Sequence, residues 1–331
     1  MDVAIAGAGL AGAYAYAYLT THDLAEEITV YDAGEQRSPC GIRPCAWGVT
    51  RDFARLLSRV GLEWEDYVLQ AIEHVTFNGK TLPAELYTID KPKLIKDLLD
   101  GASIYTDTIQ PGAYNRILDA TGVARAYLPP IEDDLQAATF QGRIEYAVLD
   151  PSTATLRFGR NGYAWIFPLS DTAAHVGAGV IDGNPRRFLD ETGLAEEDTI
   201  RKVCGWCTEP LRLSSPPYCK PFLVQHTPYG CPVVGVGEAI GCVSPLTGEG
   251  IVPGMRSVEI LGECWRKVFT EYESRICTEF HWMFRERQIV DARLQGKTLS
   301  IGDWESLRSN ARRIGILFRL RDLPHFLRSG V

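Results

Sequence analysis

Six residues near the start of the chain, Gly7-Ala8-Gly9-Leu10-Ala11-Gly12, constrain its fold more than any other stretch. Val3 and Ile5 before them lie in a short apolar run that reads as a buried strand, and Ala13 to Leu19 has the small-residue composition of a closely packed helix. The loop therefore joins strand to helix. Gly7 permits the tight turn, Gly9 lets the backbone approach a pyrophosphate, and Gly12 lets helix and strand pack closely. Amides at the start of the helix offer partial positive charge to the phosphates. A second strand, Ile28 to Tyr31, ends at Asp32, 20 residues beyond Gly12, where a carboxylate takes the hydroxyls of an adenosine ribose. Strand, helix, second strand and terminal acid together specify a dinucleotide site.

The 331 residues are enough for two domains around sizeable cores. A net charge of −8 argues against a nucleic-acid partner. Basic charge is concentrated at one end: residues 305–331 carry Arg308, Arg312, Arg313, Arg319, Arg321 and Arg328 against Glu305 and Asp322. Mixed with Ile314, Ile316, Leu317 and Phe318, these arginines suit either a packed helix with its charges in solvent or a peripheral contact with anionic lipid. The first strand starts almost at Met1, so no cleaved leader is expected, and no apolar run reaches 18 residues. Nine cysteines, an odd number in a chain of this size, fit a reducing, cytoplasmic setting better than a disulfide framework. Cys204 and Cys207 have redox spacing outside a thioredoxin-like context, and structural thiols are expected there, with no metal site.

Along the chain, a helix is expected over 53–60 and a hairpin over 75–82, with Asn78-Gly79 as its turn. Tyr87 to Ile89 reads as a strand, and Asp90 caps a helix whose apolar face is Leu94, Ile95, Leu98 and Leu99. Short strands are expected at 103–106 and 116–118, antiparallel strands over 140–182, helix in 185–206 and irregular structure over 207–227. Val233 to Val236 reads as another buried strand. From Arg256 onward, Val258, Leu261, Trp265, Val268, Tyr272, Ile276, Phe280 and Phe284 recur every three or four residues, which predicts one long helix.

A second glycine-rich stretch runs from Gly237 to Ile251. It resembles the second flavin motif of the geranylgeranyl reductase family, flavoproteins with the p-hydroxybenzoate hydroxylase fold. Four more matches lie in the family's order: Pro39-Cys40-Gly41, Tyr87-x-Ile89-Asp90-Lys91, Asp119-Ala120-Thr121-Gly122 and Tyr163-x-Trp165-x-Phe167-Pro168. With the first loop they span residues 7 to 254. The family usually carries Glu at Asp32, Asp at Glu238 and Arg at Lys91, so charge is kept while reach differs.

The resemblance implies FAD, held by Gly7, Gly9, Leu10, Ala11, Gly12, Asp32, Lys91, Thr121, Gly122, Gly237, Glu238, Pro245, Gly248, Glu249, Gly250 and Ile251. Glu238 is suited to accept a ribityl hydroxyl, and amides at the start of the following helix to stabilise charge on reduced flavin. Cys40, Tyr163 and Trp165 are the implied catalytic residues, with Gly41, Trp47, Phe167 and Pro168 lining the substrate pocket. Cys40 also fits the role of a small buried hydrophobe, and the aromatic stripe that of core.

The expected fold is mixed α/β: a discontinuous Rossmann-type FAD-binding domain (1–60, 88–128 and 229–265), an antiparallel β-sheet substrate domain (61–87 and 129–228) and C-terminal helices (266–331). The implied activity is reduction of carbon–carbon double bonds in a prenyl chain, with hydride from flavin N5 and electrons from NAD(P)H or a ferredoxin. Flavin-bound water, Cys40 and Tyr163 stand as proton donors. An aromatic monooxygenase or halogenase of the same fold, and a prenyl-lipid or quinone binding flavoprotein without turnover, are the other readings.

Overall fold

Val3, Ala4, Ile5 and Ala6 are all buried, the pattern of a strand covered on both faces. The computed structural model describes residues 1–34, 45–145, 150–194 and 206–319 and the backbone of 201–202. Cys40 and Gly41, Cys204, Arg321 and Arg328 lie outside the described residues. In chain order the strands are β1 (Asp2–Ala6), β2 (Glu27–Tyr31), β3 (Gly48–Thr50), β4 (Val68–Phe77), β5 (Lys80–Ile89), β6 (Ser103–Tyr105), β7 (Arg116–Asp119), β8 (Gln136–Glu145), β9 (Thr153–Phe158), β10 (Gly162–Pro168), β11 (Ala173–Val180), β12 (Arg201–Lys202), β13 (Cys207–Arg212), β14 (Leu223–Val224) and β15 (Val233–Gly235). The helices are α1 (Leu10–Thr21), α2 (Asp52–Ser58), α3 (Lys91–Leu98), α4 (Pro185–Glu191), α5 (Ile251–Glu263), α6 (Val268–Glu279), α7 (His281–Leu294) and α8 (Ile301–Arg313).

Two sheets organise the molecule, and the mixed α/β architecture expected from the sequence is observed. The first has the order β14-β15-β7-β1-β2-β6 and is parallel except at β14. Ile5 stands level with Val30 on one side and Leu118 on the other, so β1 is central and the sheet is assembled from three separated stretches of chain. In the second sheet, β12-β8-β11-β10-β9-β4-β5-β3, β13 also pairs with β8. It is antiparallel except that β4 and β9 run parallel, a departure from the all-antiparallel expectation. β3 joins this sheet by pairing with β5.

α1 packs against α5 and α3. A small residue makes the approach to α5 close, since a Cβ on Gly262 would lie 2.3 Å from the Tyr18 ring, while a Cβ on Gly12 would lie 1.8 Å from the Gly7 carbonyl oxygen of the preceding loop. α3 is capped by Asp90, whose carboxylate accepts from the Lys93 amide at 3.0 Å, and it buries Leu94 and Leu98.

Several elements differ from expectation. The hairpin is longer: β4 and β5 are each ten residues, and Tyr87 to Ile89 is the end of β5. Asn78 and Gly79 have φ of 45° and 87°, as a type I′ turn demands. Among the described residues of the 185–206 stretch, the helix is α4, and 207–212 is β13, the partner of residues 136–141. Pro210 hides the second case by interrupting the strand pattern, which an edge strand tolerates. The long helix from Arg256 breaks into α5, α6 and α7, with a 3-10 turn at Trp265–Lys267 and a break at Phe280. Apolar spacing of three or four residues continues through both breaks, so periodicity alone did not reveal them. α8 ends at Arg313. Gly315 (φ 73°) turns the chain out, and Ile316 bridges to Ala84. Residues 315–317 thereby cover the edge of β5, with Gly315 O accepting from Glu85 N at 2.7 Å and Leu317 N donating to Pro83 O at 2.9 Å. No helix among the described residues is long and apolar enough to cross a membrane.

Candidate functional site

A cavity of about 910 Å³ opens at the C-terminal ends of β1 and β7 and extends beneath the second sheet. That position is the topological switch point of the parallel sheet, where open α/β folds bind ligands, and the volume is at the upper end of the roughly 300–1,000 Å³ of ligand pockets.

At one end the wall is the Gly7–Ala11 loop with Asp32, Thr106, Asp107, Thr121 and Gly122. Gly7 has φ 103°, and a Cβ there would lie 2.4 Å from the Ala120 carbonyl oxygen. Gly9 differs: a Cβ would meet nothing within 4 Å, so its backbone faces open space. Gly9 is the N-cap of α1 and gives no side-chain bond, which leaves the first-turn amides for a ligand. Asp32 is fixed by the loop, with Oδ2 accepting from Ala8 N at 2.8 Å and Oδ1 from Gly34 N at 3.0 Å. Asp119 is structural: it is fully buried, and its carboxylate accepts from Thr121 N and Oγ1 and from the Tyr127 and Leu128 amides.

Two buried arginines join this end to the second glycine-rich stretch. Arg125 donates to the carbonyls of Pro129, Pro221 and Ala239. Arg212 pairs with Asp134 at 3.0 Å and donates to the Gly122, Val123 and Glu238 carbonyls. The Arg212 amide also donates to Glu238 Oε1 at 2.8 Å, so Glu238 anchors β13 as well as facing the cavity.

The other end is apolar. Val75, Phe77, Leu82, Leu86, Leu156 and Phe158 from the second sheet line it, closed over by Trp304, Leu307, Ile314, Ile316 and Phe318. Tyr163, Trp165 and Phe167 alternate onto this wall and also belong to the core beneath it, so wall and core are one surface. Gly177 lies across from Trp165, where a Cβ would be 2.6 Å from the indole. The Trp165 indole N–H donates to Gln141 Oε1 at 3.2 Å, and Gln141 Nε2 donates to the Cys45 carbonyl at 3.0 Å. The Tyr163 hydroxyl donates to the Thr247 carbonyl, and burial raises its pKa further. Its proton is thus engaged by the loop.

Trp47 has φ 63°, a conformation costing a bulky residue about 1–3 kcal/mol. It is held edge-on to His175, with ring centroids 4.4 Å apart. Burial keeps His175 neutral, pushing its pKa down to about 3, and the nearby positive charges of Arg143 and Lys91 add to this. The Trp47 Nε1 is buried without a hydrogen-bond partner, and Trp47 lines the cavity. Such an atom at a cavity wall is suited to a ligand acceptor.

The structure brings together at this wall the expected Gly7, Gly9, Leu10, Ala11, Asp32, Trp47, Lys91, Thr121, Gly122, Tyr163, Trp165, Phe167, Gly237, Glu238, Pro245, Gly248, Glu249, Gly250 and Ile251. Gly12 and Pro168 do not line it. Gly12 packs beneath the loop, and the Pro168 carbonyl accepts from Thr88 Oγ1 at 2.8 Å. Sequence reasoning missed Glu286 and Asn310, which also line the cavity, and the closing residues of α8. Glu286 lies on the buried face of α7 with Met283, Ile289 and Val290, and a charge on an apolar stripe was the available signal. Cys45, Cys219, Cys231, Cys242, Cys264 and Cys277 are free thiols, and no three metal-ligating side chains cluster among the described residues.

No family model matches the chain. It is 30% identical over 151 residues to digeranylgeranylglycerophospholipid reductase 1 of Methanopyrus kandleri, covering 43% of this chain and 39% of that protein. Against digeranylgeranylglycerophospholipid reductase 2 of Methanothermobacter thermautotrophicus it is 25% identical over 249 residues, or 67% and 63%. The chain thus spans less than two thirds of these curated relatives. Among solved structures, a geranylgeranyl bacteriochlorophyll reductase-like protein from Thermoplasma acidophilum superposes with a TM-score of 0.73 at 15% identity, covering 95% of this chain and 97% of that one. BrvH, a flavin-dependent halogenase from Brevundimonas sp. BAL3, gives 0.65 at 12% identity, covering 93% and 81%. The resemblance drawn from the motifs is met in these comparisons, and the fold is one that flavin-dependent enzymes share.

Proposed function

We propose that the chain is an FAD-dependent reductase of carbon–carbon double bonds in a prenyl chain. The observation that carries this reading is the continuity of one cavity from the Gly7–Gly12 loop to an aromatic and aliphatic chamber. A prenyl chain has no polar handle, and apolar walls are what bind it. The names of the relatives support the same substrate class.

The residues fit FAD. Gly9 leaves open room, the first turn of α1 lacks a side-chain cap, and Asp32 stands at the end of β2. Residues 248–251 line the cavity where α5 begins. FAD, once bound, supplies a hydride equivalent from its reduced N5. The chain's own part is to hold the double bond in place, keep water out and provide a proton. Trp165, Phe167 and the closing residues Trp304, Ile316 and Phe318 perform the first two tasks. Segments 1–60, 88–128 and 229–265 act as the FAD-binding part, and NAD(P)H or a ferredoxin supplies the electrons. Arg312 and Arg313, exposed near the end of α8, are placed for contact with anionic lipid as the substrate enters.

The test is to reconstitute the protein with FAD, reduce it chemically without oxygen, add a geranylgeranyl lipid and weigh the product by mass spectrometry. The reading expects two added hydrogens per bond reduced. An unchanged lipid contradicts it. The similarity to a halogenase favours oxygen-dependent chemistry as the second reading, and hydroxylated or halogenated aromatic product on admitting oxygen would select it.

A further inference from the structure

Two carboxyl groups, Glu249 of the second glycine-rich loop and Glu286 of α7, line the same cavity. Glu286 is buried, with Oε2 accepting from Ser244 Oγ at 2.6 Å and Oε1 from Asn310 Nδ2 at 3.3 Å. Ser244 Oγ in turn accepts from the Thr247 amide at 3.1 Å and from Thr247 Oγ1 at 2.9 Å, which fixes the loop. Glu249 accepts from the Val252 amide, while its Oε1 is buried and has no partner. Both residues line the cavity.

Among the described residues, no salt bridge reaches either group. The charges that act on Glu249 are Glu286 from α7 and Asp52 from the start of α2, both acidic. Glu286 is surrounded by Ser244, Asn310 and the Leu246 amide. Arg293 and Arg308 line the same cavity. Two desolvated carboxylates in one site cannot both stay ionised at low cost, so the pair retains a proton. Burial, then repulsion from Glu286, pushes Glu249 up to about 8, and burial pushes Glu286 up to about 7.

We propose that Glu249 and Glu286 form a proton-holding pair and that Glu249 Oε1 is the catalytic acid for the double-bond reduction, an assignment that rests on the reductase reading above. The π bond of the alkene breaks as hydride forms a C–H bond to one carbon. The π electron pair takes the Glu249 proton at the other carbon. The O–H bond breaks, its electrons remain on Glu249 as carboxylate, and solvent restores the proton. The substrate gains two electrons and the reduced flavin loses two. Of the described donors named from the sequence, Tyr163 has its hydroxyl proton engaged by the Thr247 carbonyl.

The test uses FAD-loaded protein and the variants E249Q and E286Q, which keep shape and hydrogen-bonding capacity. Infrared difference spectra of the unliganded holoprotein should show a protonated carboxyl at pH 7 that disappears as pH rises through about 8 and is lost in E249Q. Anaerobic flavin reoxidation by a geranylgeranyl lipid should be about 10²–10⁴-fold slower in E249Q. Its alkaline limb should move to lower pH in E286Q, because removing the Glu286 charge eases ionisation of Glu249. A wild type with no protonated carboxyl at pH 7, or an E249Q enzyme with the wild-type rate and pH profile, overturns the proposal. If the wild type leaves the lipid unreduced, the reductase reading and the acid role fall together, and the infrared band alone decides whether the pair holds a proton. Should E249Q fail to load FAD, the pH limb of E286Q decides.

Discussion

The Ala8 amide donates to Asp32 Oδ2 at 2.8 Å, so the carboxylate at the end of β2 and the glycine loop at the end of β1 hold each other in place. In the proposed FAD site, the acid placed for a ribose and the amides placed for phosphates are therefore one preorganised unit.

Gly9 and Gly12 should separate binding from folding. Gly12→Ala places a methyl group 1.8 Å from the Gly7 carbonyl oxygen, and this variant should lose both thermal stability and FAD. Gly9→Ala meets no atom within 4 Å, so its melting temperature should match wild type while FAD affinity falls, roughly tenfold or more. Thermal melts paired with flavin-fluorescence titrations read both effects.

Stability should peak at mildly acidic pH. The His175 pKa is depressed, so its contribution is lost as pH falls from about 6.5 toward 3. Glu249 and Glu286 are raised, so their contribution is complete below the usual carboxylate range near 4.5 and is lost as pH rises through about 7 to 8. Chemical denaturation at pH 5.5 and pH 9 should show the decline, and the E249Q/E286Q double variant should flatten it.

Arg212 is a structural hub. Arg212→Met leaves Asp134 without its cation and three carbonyls without a donor, which costs about 3–5 kcal/mol. Calorimetry should record a fall in melting temperature on the order of 10 °C. A loss below about 1 kcal/mol contradicts this role.

Ile316→Glu puts a carboxylate into the apolar chamber, at a side chain 4% exposed and far along the chain from the glycine loop. Turnover of a prenyl substrate should drop roughly 30-fold or more, with FAD affinity unchanged. Equal losses in both would mean that the segment supports the cofactor end instead.

Features set by local chemistry were legible in the sequence. Each glycine of the first loop answers a requirement within a few residues of chain, and Asn78-Gly79 states its own turn. Strand length was not legible, because β4 and β5 extend wherever sheet partners exist. β13 was hidden by Pro210 and is defined by its pairing with β8. The breaks at Cys264 and Phe280 were masked because the buried stripe passes through them. The Glu249–Glu286 pair was the least accessible: its members are 37 positions apart, and the packing of α7 on the second glycine-rich loop brings them to one wall.

The most direct measurement of the central claim is stopped-flow absorbance of the anaerobically reduced holoprotein mixed with a geranylgeranyl lipid. The account predicts a return of the oxidised-flavin spectrum matched one for one by saturated double bonds. Flavin that stays reduced until oxygen is admitted would contradict it.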